Sequence, residues 1–203
     1  MKTISFYCLS FCFFFPILLI GQDSFIPDRK NMDNSKEAAI ALFENGQYEK
    51  AIYAFCNLLK EDPEDFELYG KRGVAFLWNG QPSLALADLN MAISKKPEAI
   101  YYFYRASLLP YSDLKGKIAN YDMAISLESG NARYFYERAS LKLRAFREYV
   151  YDKPEDERLE MKALEKRLGF SMTICKDFNM ATALDKDYAH KAFQHCNAFE
   201  DLK

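Results

Sequence analysis

The chain has 203 residues, half of them hydrophobic and 28% charged, with a formal net charge of −2. Seven prolines and eight glycines are too few for a disordered or collagen-like chain, and the balance suits one globular domain or one short repeat array. No stretch gathers five or more Lys/Arg, so the chain lacks the positive charge that nucleic-acid affinity depends on, and nucleic acid is excluded as a partner.

Residues 1–21 read as a signal peptide: Lys2 gives the positive end, Phe11 to Ile20 the apolar run, and Gly21 a small residue at the cut. The expected location is therefore periplasmic or cell-surface. The alternative is an N-terminal membrane anchor, since Ile4 to Ile20 is at the short limit for a spanning helix. No membrane contact is expected beyond this leader. Removing Lys2 with it makes the net charge −3. Three cysteines remain, Cys56, Cys175 and Cys196, in a compartment where disulfides persist. At most one internal pair forms. Cys175 and Cys196, 21 residues apart, suit two adjacent antiparallel helices and are the candidate disulfide; their bridging distance is a matter for tertiary structure.

Residues 22–34 form a polar linker. Helical periodicity starts near Ser35, with Ala38, Ala39, Leu42 and Phe43 on one face. Asn45-Gly46-Gln47 stops that helix. A second helix carries Tyr48, Ala51, Ile52, Phe55, Leu58 and Leu59 on one stripe and ends at Glu61-Asp62-Pro63. The same grammar then returns: a helix over Leu68 to Trp78, a turn at Asn79-Gly80-Gln81, a helix over Leu84 to Ile93, and a stop at Lys95-Lys96-Pro97. The two turns lie 34 residues apart, as do Pro63 and Pro97. A further phrase recurs every 33 residues: Arg72-Gly73, Arg105-Ala106 and Arg138-Ala139. A fixed period in this range marks a repeat architecture.

These residues resemble the tetratricopeptide repeat family, whose 34-residue helix–turn–helix unit has Gly at the turn, Ala early in the second helix, a large apolar residue four later and Pro at the end. Gly46, Tyr48, Ala51, Phe55 and Pro63 carry the resemblance in the first unit, and Gly80, Ala85, Leu89, Ala92 and Pro97 in the second. The resemblance implies an all-α solenoid of about four repeats, at 35–65, 66–99, 100–130 and 131–187. The third repeat is looser: its turn is placed at Ser112 to Gly116, Lys117 replaces the small Ala, and Pro110 interrupts the first helix. The fourth is split by an insert at about 146–168, following a first helix expected to end near Tyr151. Residues 188–203 are expected to form a closing helix that covers the apolar edge of the last pair.

Little in the sequence carries chemistry. No phosphate loop or nucleophile elbow appears. Cys175, His190, His195 and Cys196 do not have metal-ligand spacing, so no metal, no cofactor and no catalysis are expected. The resemblance instead implies that the first helices line a concave groove for a protein or peptide partner. The implied contact residues are Trp78, Phe103, Ser107, Tyr111, Tyr136, Ser140 and Arg144, with Arg144 pairing an acidic group. Tyr101, Tyr102, Tyr104, Tyr134 and Phe135 are assigned to packing. Some relatives clamp a partner's C-terminal carboxylate with Lys, Arg and Asn; Lys36 fits such a slot, but Ile40, Gly70 and Val74 do not. Two other readings stand beside the adaptor: a structural subunit of an envelope assembly docked through the insert, and a small metal or thiol enzyme built on the Cys/His segment.

Overall fold

In the computed structural model of the chain, the described residues are 35–151, 170–188 and 196. Every regular element among them is helical. The chain divides into two compact units after Pro97. The leader and linker, most of the insert, and the closing segment apart from Tyr188 and Cys196 lie outside the described residues.

The first unit holds two helix pairs. Helix α1 (Lys36–Glu44) starts because the Ser35 side chain accepts the Ala38 N–H at 3.1 Å, satisfying one of the orphan donors of the first turn. It ends in a left-handed glycine. Gly46 has φ of 71°, its N–H donates to the Phe43 carbonyl, and the Gln47 N–H donates to the Leu42 carbonyl. Gly80, with φ of 73°, closes helix α3 (Phe66–Trp78) through the same two bonds, to Leu77 and Phe76. Both are the paired terminal bonds that a glycine with positive φ makes available to a helix end. Helices α2 (Tyr48–Glu61) and α4 (Pro82–Lys95) complete the pairs. Pro82 sits in the first turn of α4, where its missing N–H costs nothing, so this helix begins two residues earlier than its apolar periodicity suggests.

Helix α3 likewise begins two residues early, at Phe66, because Asp65 caps it. The Asp65 carboxylate accepts the N–H groups of Glu67 at 3.1 Å and Leu68 at 3.2 Å. It also accepts the Lys36 ammonium at 2.8 Å, tying the start of α1 to the start of α3. Burial pushes the Asp65 carboxyl up, but the Lys36 hydrogen bond and the two N–H groups outweigh it and hold the group below its ordinary value of 3.8. A carboxyl lowered by folding stabilises the fold above its unfolded pKa and loses that contribution as pH falls through the folded value. Asp65→Ala is therefore expected to cost about 1 kcal/mol at neutral pH, mostly from the lost cap, because a half-exposed ion pair adds little. Urea midpoints of the two chains should converge on acidification below the ordinary carboxylate range; a gap that stays constant into acid would show that the ionised cap is not the cause.

Small residues set the approach of the helices. Ala39, Gly73, Ala106 and Ala139 occupy one slot of the first helices, and the three alanines are fully buried. At Gly73 an added Cβ would lie 3.1 Å from both Asp88 Cβ and Leu89 Cγ, so α3 and α4 are nearly in backbone contact there. The complementary large slot of the second helices holds Phe55, Leu89, Tyr121 and Phe178, all buried. Alternating small and large side chains fill the space between helices at interior density. In the first unit, Ala39, Ala51, Ala54, Phe55, Leu59, Leu68 and Ala75 make one core cluster.

The second unit holds α5 (Ala99–Leu108), α6 (Leu114–Leu127), α7 (Ala132–Tyr151) and α8 (Phe170–Leu184), followed by a 3-10 turn at Lys186–Tyr188. Helix α5 has only ten residues. Pro110 forces Leu109 into extended backbone, with ψ of 145°, and the helix stops. Lys117 then performs a task no alanine can. Its ammonium donates to the carbonyls of Ala106 at 2.6 Å and Leu109 at 2.8 Å, satisfying acceptors at the shortened C-terminus of α5. The expected turn at Ser112 to Gly116 is corrected: Asp113 accepts the Gly116 N–H at 2.9 Å, so α6 already runs from Leu114. Helix α7 runs 20 residues, through the start of the expected insert.

Candidate functional site

The recurring arginine is a staple between helices. Arg72 on α3 meets Asp88 on α4 through two bonds of 2.6 and 2.8 Å, with the arginine 4% exposed. Its other end donates to Cys56 Sγ on α2 at 3.3 Å, reaching the preceding pair. Arg138 on α7 repeats this with Asp177 on α8, at 2.9 and 2.6 Å, and reaches Asp122 on the preceding α6. Lys142 adds a second cation to Asp177 at 3.1 Å. Arg105 on α5 binds Asn120 on α6 at 2.7 Å instead, and the Asn120 amide in turn donates to the Gly116 carbonyl at 2.7 Å. Bidentate Arg–carboxylate pairs fix orientation as well as distance. In the first pair the equivalent positions are Ala38 and Ala54, so the cation and its acid are missing together. These side chains are structural, and their slots lie in the buried seams of the pairs.

The expected contact residues divide three ways. Phe103 is corrected to a core residue. It is 3% exposed, and the rings of Tyr104, Tyr121 and Tyr134 lie 5.2 to 5.8 Å from its own. Tyr136 also turns inward: it packs edge-on to Phe178 at 5.6 Å and against Tyr188 at 4.8 Å, within the α7–α8 pair and its closing turn. Ser107 is exposed, with its hydroxyl donating to the Tyr104 carbonyl at 2.6 Å. Trp78, in the first unit, is 51% exposed at the end of α3 and stacks on Tyr48 at 6.4 Å and 22°.

Tyr111 and Arg144 do come together. The guanidinium lies 4.3 Å over the Tyr111 ring, a cation–π contact. Its Nε donates to Glu148 at 2.9 Å, one helical turn further along α7, while the side chain stays 65% exposed. Arg144 thus has an acidic partner within its own chain. Burial, then the Glu148 carboxylate, raises the pKa of the Tyr111 hydroxyl, with Arg144 opposing. The Arg144 hydrogen bond, then the nearby Tyr111 hydroxyl, lowers that of Glu148. Lys117 is near enough that Arg144 adds to the effect of burial in lowering its pKa. Ser140 is half-buried one turn before Arg144. The result is a surface of α7 and the α5–α6 turn on which an aromatic ring and a carboxylate hold one largely exposed guanidinium in place. Sequence reading missed Lys117 and Glu148; the i, i+4 spacing of Arg144 and Glu148 on a helix was the available signal.

Cys175 and Cys196 form a disulfide, with Cα atoms 5.6 Å apart. Neither offers a free thiolate in this state. Cys56 is a buried thiol. His190 and His195 lie outside the described residues. Among the described residues no group of three His, Cys, Asp or Glu side chains is placed to hold a metal ion.

Paired helices with glycine-closed turns, small and large slots in alternation and a 34-residue period define the tetratricopeptide-repeat fold, and this chain has it. No protein-family model matches the sequence. Among solved structures, it is similar to a crystal structure of MamA protein, with TM-score 0.55 and 18% identity over 78% of this chain and 74% of that one. It is similar also to MamA 41-end from Desulfovibrio magneticus RS-1, with TM-score 0.54 and 21% identity over 76% of this chain and 78% of that one. At such identities the likeness establishes the fold alone.

Proposed function

We propose that the chain is a non-catalytic scaffold that binds a segment of a protein partner on the first-helix surface of its repeats. The observation that carries this reading is the pre-set Arg144: stacked on Tyr111, oriented by Glu148 and still exposed. Arginine and tyrosine held rigid on a surface lose little conformational freedom on binding, which is why they recur as anchors of protein interfaces. Arg144 offers its exposed guanidinium to an acidic or carbonyl group of the partner, and Tyr111, Ser107 and Ser140 flank it. Trp78 is the corresponding exposed aromatic of the first unit. The disulfide supports an exported chain in an oxidising compartment.

The test is capture of partners from native envelope extract by the mature chain, beside Arg144→Ala/Tyr111→Ala and Trp78→Ala variants. The expected result is one partner lost in the double variant while the circular-dichroism melt is kept. Equal capture by all three chains would overturn the site.

A further inference from the structure

Arg144 has a counterpart on its own helix. Arg133 stands 11 residues earlier on α7 and is also exposed. At about 100° per residue, eleven residues turn a helix through three full circles and roughly 20° more, so the two side chains leave one stripe, about 16.5 Å apart along the axis. Each is seated on a ring of the preceding helix or its turn. Arg133 lies 4.8 Å over Phe103 of α5, as Arg144 lies 4.3 Å over Tyr111. A π face orients a cation and leaves its charge in place. An arginine so held has less freedom to lose when a partner arrives.

Between the two arginines the stripe changes sign. Glu137 stands one turn after Arg133, half-buried, and Ser140 stands one turn before Arg144. Glu137 and Arg133 act on the same neighbour: burial first, then the Glu137 carboxylate, raises the pKa of the Tyr121 hydroxyl to about 12, with Arg133 opposing. Along α7 the surface is therefore positive, negative, neutral and positive. Glu148 lies one turn beyond Arg144, outside this span. Ser107 faces solvent on α5; its proton goes to the Tyr104 carbonyl, which leaves its oxygen able to accept.

We propose, on the reading that this surface binds a protein segment, that the segment is extended and carries two acidic side chains, one for each arginine, with no acid between them. An extended chain advances about 3.3 Å per residue, so acids about four to six residues apart cover about 13–20 Å, which brackets the arginine separation. Each arginine takes one carboxylate through charge-assisted hydrogen bonds. An exposed i, i+4 pair is worth little, so Glu148 does not hold Arg144 against an incoming carboxylate. Glu137 repels an acid placed midway, and like charges juxtaposed at an interface suppress the wrong partner. An extended segment also presents unpaired backbone N–H groups to the serine oxygens, which a helical one does not.

Selection from a phage library of random peptides on the immobilised mature chain tests this. The peptides are fused to the coat at their C-termini, so side chains supply their carboxylates. The expected winners carry two acids about four to six residues apart and none between. Their affinity should fall on the order of tenfold with Arg133→Gln or Arg144→Gln, while the melting curve is kept. Arg133→Glu should shift the selection to one acid and one base at the same spacing, which a merely structural arginine would not do. Glu137→Gln should admit an acid in the middle. Winners without the acid pair, acids at helical spacing instead, no winners at all, or affinities indifferent to Arg133 would each overturn the proposal. If Arg144→Ala/Tyr111→Ala loses the native partner and Arg133→Gln keeps it, the binding surface stands and recognition by two arginines fails.

Discussion

Asp88→Ala should be among the most damaging single substitutions in the first unit. Arg72 is 4% exposed and held by two bonds to that carboxylate. Removing the acid takes both of these bonds from a buried guanidinium that also donates to Cys56 Sγ, a weak acceptor, and lies 5.3 and 5.7 Å from the rings of Tyr69 and Phe76. Breaking a buried ion pair by removing one partner costs about 3–5 kcal/mol. With a urea m-value of about 2 kcal/mol/M, the midpoint should fall by about 2 M. The double variant Arg72→Met/Asp88→Leu should recover most of that loss, since a well-packed apolar pair often equals a buried ion pair. The first pair already shows the apolar solution, with Ala38 and Ala54 in these slots. A midpoint for Asp88→Ala within a few tenths molar of the parent would show that Arg72 finds water instead.

Phe103→Ala should cost about 3–5 kcal/mol, the usual loss for a large aromatic removed from a packed core. The ring is enclosed by Tyr104, Tyr121 and Tyr134, and the Arg133 guanidinium lies 4.8 Å from its centre. For a chain of this size the melting temperature should drop by roughly 10 °C. Phe103→Leu keeps most of the volume and should lose less than about 1.5 kcal/mol. The pair of variants separates a packing residue from a contact residue. If Phe103→Ala melts with the parent and loses partner capture, the ring is a contact after all. If it melts early, lost capture reports lost fold.

The repeat was legible from the sequence because its determinants are local. A left-handed Gly46 or Gly80 ends a helix by bonds to residues three and five positions back, and Pro63 and Pro97 block continuation through their own rings. Such signals recur with the period of the unit, so counting residues finds them. The length of α7 was legible for the same reason: its periodicity runs unbroken to Tyr151.

Which aromatic faces water is a different kind of fact. Phe103 and Trp78 are both large rings on first helices, yet one is 3% exposed and the other 51%. The difference is made by Tyr121 and Tyr134, which arrive over Phe103 from α6 and α7. Tyr136 is partly covered, by Phe178 and Tyr188 from beyond the insert. The arginine slot was visible as a repeat, but its purpose was not. Its acid stands 16 residues on at Asp88, becomes the amide Asn120 in the next pair, and stands 39 residues on at Asp177, because the insert separates two helices that pack together. By itself the sequence determined the helix pairs, their turns and their period, through backbone geometry acting over a few residues. Only the tertiary structure decided which rings are core, which cation meets which acid, and that Arg144 is held on Tyr111, because burial and charge pairing depend on what other helices bring to the same place.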